Sequence, residues 1–109
     1  MKKDPAVYLK DIIDAIEHVF DFTAGSNWDS KTLYAVERAL LIIGEAGNRI
    51  PDDVKHLAPD IAWNEIKGLR NLPVHEYEHI NTEILKDIRN NHLASLKSSV
   101  ENLLKKLKG

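Results

Sequence analysis

The sequence contains no cysteine. That removes a disulfide framework, thiolate metal ligation and thiol catalysis from the possibilities. No run of about 18 apolar residues is present, so no membrane-spanning helix is expected. The opening Met1-Lys2-Lys3-Asp4-Pro5 lacks the apolar stretch and small-residue cleavage site of a signal peptide. Together these absences point to a cytoplasmic protein. Five glycines and four prolines in 109 residues are too few for a low-complexity linker. Neither sign of charge dominates, with 15 Lys and Arg against 17 Asp and Glu and a net charge of -2. This excludes a uniformly basic nucleic-acid coat but not a small charged site. No strand signal, no repeat at a period of about 20–50 residues and no composition break is found. At about 150 residues per domain, the chain reads as one domain over residues 1–109. A chain of this size buries about two thirds of its unfolded surface, enough for one core.

What the sequence does have is apolar periodicity of the helical kind almost throughout. A first helix is predicted from about Pro5 to Thr23, capped by Asp4 and carrying proline at its first position. Its stripe is Val7, Leu9, Ile12, Ile13, Ile16, Val19 and Phe20, and Ala24-Gly25-Ser26-Asn27 stops it. A second helix starts after Asp29 or Ser30 and runs through Leu33, Val36, Leu40, Leu41 and Ile43 to about Arg49. Gly44 and Gly47 weaken it, which predicts close packing against a neighbour. Ile50-Pro51 ends it, and residues 52–57 read as a short helical turn. A third helix covers about Ile61 to Arg70. The last is predicted from its cap Asn81 to about Leu107, with the stripe Leu85, Ile88, Leu93, Leu96, Val100, Leu103 and Leu107. At 1.5 Å per residue it would be about 40 Å long and would outreach a body of about 13 Å radius of gyration. The fold class is an all-α bundle of four to five helices.

Chemistry concentrates in Gly68-Leu69-Arg70-Asn71-Leu72-Pro73-Val74-His75-Glu76-Tyr77-Glu78-His79. On an unbroken helix, Arg70 and His75 would point about 140° apart and could not serve one site. Pro73 makes an unbroken helix improbable and pushes Leu72 toward extended backbone. The chain therefore kinks near Asn71, and Arg70 and His75 can converge. Histidine titrates near physiological pH. Arginine stays charged and grips phosphate bidentately, and asparagine can orient either group. Such a set suits metal-free RNA cleavage, with histidine activating a ribose 2′-hydroxyl and arginine stabilising the charged phosphorane. The plainer alternative makes Arg70 a helix C-terminal charge and His75 an ordinary surface residue.

These residues, with their flanks, resemble the HepT-like proteins of the HEPN superfamily, the toxin halves of HepT/MNT toxin–antitoxin pairs. Arg70 followed by Asn71, then His75 and Tyr77, matches each position of that family's motif. Tyr8-Leu9-Lys10-Asp11-Ile12, Ile42-Ile43-Gly44-Glu45-Ala46 and the run from Ile61 to Asn71 resemble its flanks in order. The resemblance implies a homodimeric HEPN bundle whose two motifs meet in a cleft that holds RNA. It implies a metal-independent endoribonuclease without cofactor, in which His75 is the acid/base, Arg70 stabilises phosphate and Asn71 orients. It also implies an MNT-type nucleotidyltransferase partner that neutralises the toxin by transferring AMP to Tyr77. Glu45 matches a family-typical position. Pro73 departs from the pattern, standing in the spacer where the family more usually has an apolar or basic residue.

Two other readings compete. One is a catalytically silent, partner-binding subunit, with the long last helix as its docking surface. The other is zinc binding, because His75-Glu76-Tyr77-Glu78-His79 matches H-E-x-x-H. That match is easily accidental. Pro73 lies just upstream, the glycine spacing fails at Thr82, and His92 or Glu101 serves as third ligand only by choice. Trp28 and Trp63 could stack on RNA bases but read first as packing residues. Asp52-Asp53 reads as a helix start, and Lys105-Lys106-Leu107-Lys108 as a helix end that suits the macrodipole.

Overall fold

The structure is a computed structural model and describes residues 4–72 and 81–109. Among the described residues all regular structure is helical. Helix α1 spans Pro5–Thr23, α2 Ser30–Asn48, α3 Asp52–Lys55, α4 Trp63–Gly68, α5 Thr82–Asn91 and α6 Leu93–Lys108, with a 3-10 turn at Leu69–Asn71 after α4. The all-α expectation holds. None of these helices is long and apolar enough to cross a membrane.

The first two helices begin where their caps stand. Asp4 accepts a hydrogen bond from the Ala6 amide at 2.9 Å, with Pro5 in the first helical position. Asp29 accepts one from the Thr32 amide at 2.9 Å. That amide bond first, and the Thr32 hydroxyl second, hold the Asp29 carboxyl below the usual aspartate range. Gly25 takes a left-handed φ of 68° between the helices, as its missing Cβ permits. Trp28 takes φ 60°, its amide donating to Ser26 Oγ at 2.9 Å.

α1 and α2 pack as a hairpin, α6 lies against α1, and α4 with its 3-10 turn lies against α2. The core between them is Leu9, Ile12, Ile16 and Val19 of α1, Val36, Leu40 and Ile43 of α2, and Val100 and Leu103 of α6. Val7, assigned to the α1 stripe by periodicity, is 40% exposed instead.

The last helix differs from expectation. It is two helices, broken at His92, where φ is -127° and ψ -37°. Asn90, Asn91 and His92 are weak helix formers, and their side chains find partners nearby. Asn91 Nδ2 donates to Asp87 Oδ1 at 2.6 Å, and His92 Nε2 lies 3.4 Å from Asp87 Oδ2. Two shorter helices bury both Leu85 and Leu93. The 16 residues of α6 reach only about 24 Å. No overhanging rod results, and most of the stripe is core.

The third helix is shorter than expected. It begins at Trp63, whose indole N–H donates to the Ala58 carbonyl at 3.1 Å, and tightens into the 3-10 turn at Leu69. Leu72 then adopts φ -60° and ψ 136°, the extended geometry required ahead of Pro73.

Candidate functional site

Arg70 and Asn71 share the 3-10 turn that closes α4. The kink expected near Asn71 is there. His75 and Tyr77 lie outside the described residues, as do Pro73 and the His75, Glu76 and His79 of the zinc-like motif.

Two glycines on α2 fix where the turn sits. They stand one helical turn apart and face the same neighbour. A Cβ on Gly44 would lie 2.7 Å from the Arg70 amide nitrogen, 2.8 Å from Arg70 Cγ and 3.2 Å from the Ile66 carbonyl oxygen. A Cβ on Gly47 would lie 2.5 Å from Ile66 Cγ2. The close neighbour that Gly44 and Gly47 predicted is thus the stretch from Ile66 to Arg70. Spacing gave the need for contact but not its partner.

The Arg70 side chain is half-buried. Its Nε is enclosed, and among the described residues it has no hydrogen-bond partner and no ion pair reaches the side chain. Buried polar groups normally find a partner, so an unpaired one marks stored cost or an absent ligand. A guanidinium suits a phosphate, whose oxygens accept in the plane of its donors. Asn71 is exposed beside it, as is Glu45 beside Gly44.

A groove of about 320 Å³ opens where α4 faces α5 and α6, with Ile61, Ile66, Leu69, Ile88, Leu93 and Leu96 among its lining. The sequence assigned Ile88, Leu93 and Leu96 to a core stripe, and only Leu93 is fully buried. No signal in the periodicity separates a groove wall from a core.

The remaining candidates are structural. Trp28 and Trp63 pack on the core, beneath Lys86 and Lys55 respectively, each at 5.9 Å. Asp52 and Asp53 open α3. Among the described residues no three His, Asp or Glu converge as metal ligands. His92 Nε2 lies 3.4 Å from Asp87 Oδ2. Lys106 Nζ donates to the Leu57 carbonyl at 3.2 Å.

The profile of a family described as "Ribonuclease HepT-like" matches residues 8–103. A Thermococcus cleftensis protein named "Probable ribonuclease HepT" is 39% identical over 96% of this chain and 100% of its own length. A Methanocaldococcus jannaschii protein named "Putative RNase MJ0127" is 34% identical over 99% of this chain and 93% of its own. No solved structure gives a significant match.

Proposed function

The chain belongs to the HepT-like ribonuclease family, and from that premise we propose that it is a metal-independent endoribonuclease acting as a toxin in the cytoplasm. In this reading the 109 residues form one helical domain that pairs with a second copy. Arg70, Asn71 and His75 of the two copies make a composite site for RNA. The neutral His75 imidazole takes the proton of a ribose 2′-hydroxyl, whose oxygen attacks the adjacent phosphorus. The Arg70 guanidinium stabilises the doubly charged phosphorane, and Asn71 holds the phosphate in line. The bond to the 5′-oxygen breaks, and the paired motif's imidazolium protonates that leaving oxygen. The products are a 2′,3′-cyclic phosphate and a 5′-hydroxyl. An MNT-type nucleotidyltransferase antitoxin silences the site by transferring AMP from ATP to the Tyr77 oxygen, which loses its proton as pyrophosphate leaves.

The observation that supports this best is the enclosed, unpartnered Nε of Arg70 on the turn next to Asn71. The test is RNA cleavage by purified protein in EDTA, with end-group analysis of the fragments. Cleavage to cyclic-phosphate ends that His75→Ala abolishes is the expected result. Cleavage that needs a divalent metal, or that persists in His75→Ala, removes the mechanism. No cleavage by the unaltered protein favours the partner-binding subunit, a reading that rests on Pro73 in the spacer.

A further inference from the structure

We propose that Gly44 is a positioning residue for Arg70: its missing Cβ is the seat that sets where the guanidinium stands. For its effect on RNA cleavage the proposal rests on the ribonuclease reading; for the contact itself it does not.

The argument begins with what holds Arg70. Among the described residues its Nε has no hydrogen-bond partner and no ion pair ties down its head. Within that set, the course of the side chain is set by its own backbone and by Cγ. Both of those lie on Gly44. The two tightest approaches, 2.7 Å and 2.8 Å, are to the Arg70 amide nitrogen and Cγ. An amide nitrogen cannot rotate out of the way as a side-chain tip can.

Gly47 supplies the contrast on the same face of α2. Its nearest approach is to a single methyl, Ile66 Cγ2, and Ile66 Cβ stands at an ordinary 3.6 Å. A Cβ there meets a buried side chain of α4 four positions ahead of Arg70, whereas a Cβ at Gly44 meets the backbone and Cγ of Arg70 itself. Moving the Arg70 amide from 2.7 Å to the edge of ordinary contact at 3.4 Å requires a shift of about 0.7 Å, and errors of 0.5–1 Å at a reacting group already cost activity heavily. Both glycines weaken α2 relative to alanine, but only Gly44 has Arg70 pressed against it.

The test compares Gly44→Ala with Gly47→Ala in the full chain, by two readouts. The first is the Nε–H resonance of Arg70 in a proton–nitrogen spectrum, assigned by its loss in Arg70→Lys. It should move further in Gly44→Ala than in Gly47→Ala. The second is the kinetics of RNA cleavage. In Gly44→Ala, kcat should fall about tenfold to a hundredfold with KM within about twofold, while Gly47→Ala costs less kcat. A merely structural glycine would move neither the resonance nor the split between kcat and KM. An Arg70 resonance and kcat unchanged in folded Gly44→Ala overturn the proposal. So does an equal effect of Gly47→Ala on both. If the unaltered protein cleaves no RNA, the ribonuclease reading falls and the resonance alone decides on the seat. Should Gly44→Ala fail to fold, nuclear Overhauser contacts in the unaltered chain decide. Cross-peaks from the Gly44 α-protons to the Arg70 amide and γ-protons support the seat. Their absence overturns it.

Discussion

Arg70 crosses α2 at Gly44 so closely that a single added carbon on the glycine would stand 2.7 Å from the arginine's amide nitrogen. Among the described residues the crossing encloses Arg70 Nε without giving it a partner. In the proposed reading, that cost is borne for the RNA phosphate.

Replacing Arg70 should therefore separate stability from activity. An enclosed donor without a partner costs about 1–3 kcal/mol, and methionine fills similar space without that cost. Arg70→Met should leave the protein as stable as before or up to about 1 kcal/mol more stable, while RNA cleavage is lost. Urea melts beside a cleavage assay check both. A clear loss of stability would mean that the guanidinium is well satisfied.

Tyr77→Phe tests the proposed control of the toxin. It should keep ribonuclease activity and lose neutralisation by an active nucleotidyltransferase antitoxin. Mass spectrometry of the treated chains should show AMP on the unaltered protein only. Full neutralisation of the phenylalanine variant would count against tyrosine modification.

The break at His92 sets the ranking of leucines near the C-terminus. Leu93 is 1% exposed and Leu107 36%. Leu93→Ala should cost about 2–5 kcal/mol, as buried leucine deletions do. Leu107→Ala should stay within about 0.5 kcal/mol, as surface changes do. Similar losses at both positions, measured by thermal unfolding, would restore the single long helix.

Arg89 fastens α5 to the end of α1. Its Nε donates to Thr23 Oγ1 at 3.0 Å, and its guanidinium carbon lies 4.9 Å from the Phe20 ring centroid. Arg89→Ala should cost about 1–2 kcal/mol and speed hydrogen exchange in α5 more than in α1 or α2. Lys86→Ala, which loses a looser approach to Trp28 and an exposed 3.9 Å pair with Glu83 within α5, should do less. Equal acceleration in every helix would deny α5 a separate attachment.

The Asp29 cap predicts part of the acid response. Its folded carboxyl titrates below the usual aspartate value of 3.8 because it accepts from Thr32. The stability it adds is complete above that value and is lost as the pH falls through the lower folded one. Asp29→Asn caps without titrating, so it should flatten that part of the acid-denaturation profile. An unchanged profile would sink the assignment.

The first two helices were legible almost to the residue because their signals are local. Asp4 with Pro5, and Asp29, act within one turn. The kink at Asn71 was legible for the same reason, since Pro73 dictates the backbone of Leu72. The break at His92 was not, because the apolar period continues across it from Leu85 to Leu103. Local polar partners, Asp87 above all, decided the break. Val7 was misjudged because periodicity cannot say where the neighbouring helix stops. Gly44 announced a close contact, but its partner lies 26 positions on, beyond any local rule. Of the candidate site, Arg70 and Asn71 stand on the expected turn, and His75 and Tyr77 lie outside the described residues.

The division at His92 also has a consequence for how the molecule comes apart. α6 buries Leu93, Val100 and Leu103, whereas α5 buries Leu85 alone and is otherwise fastened by Arg89 and Lys86. Two helices that differ so much in apolar burial do not share one opening free energy. The chain therefore has a weak joint directly downstream of its signature motif. On that comparison α5 is held less firmly than α6, so it can lift away while α1, α2 and α6 stay assembled.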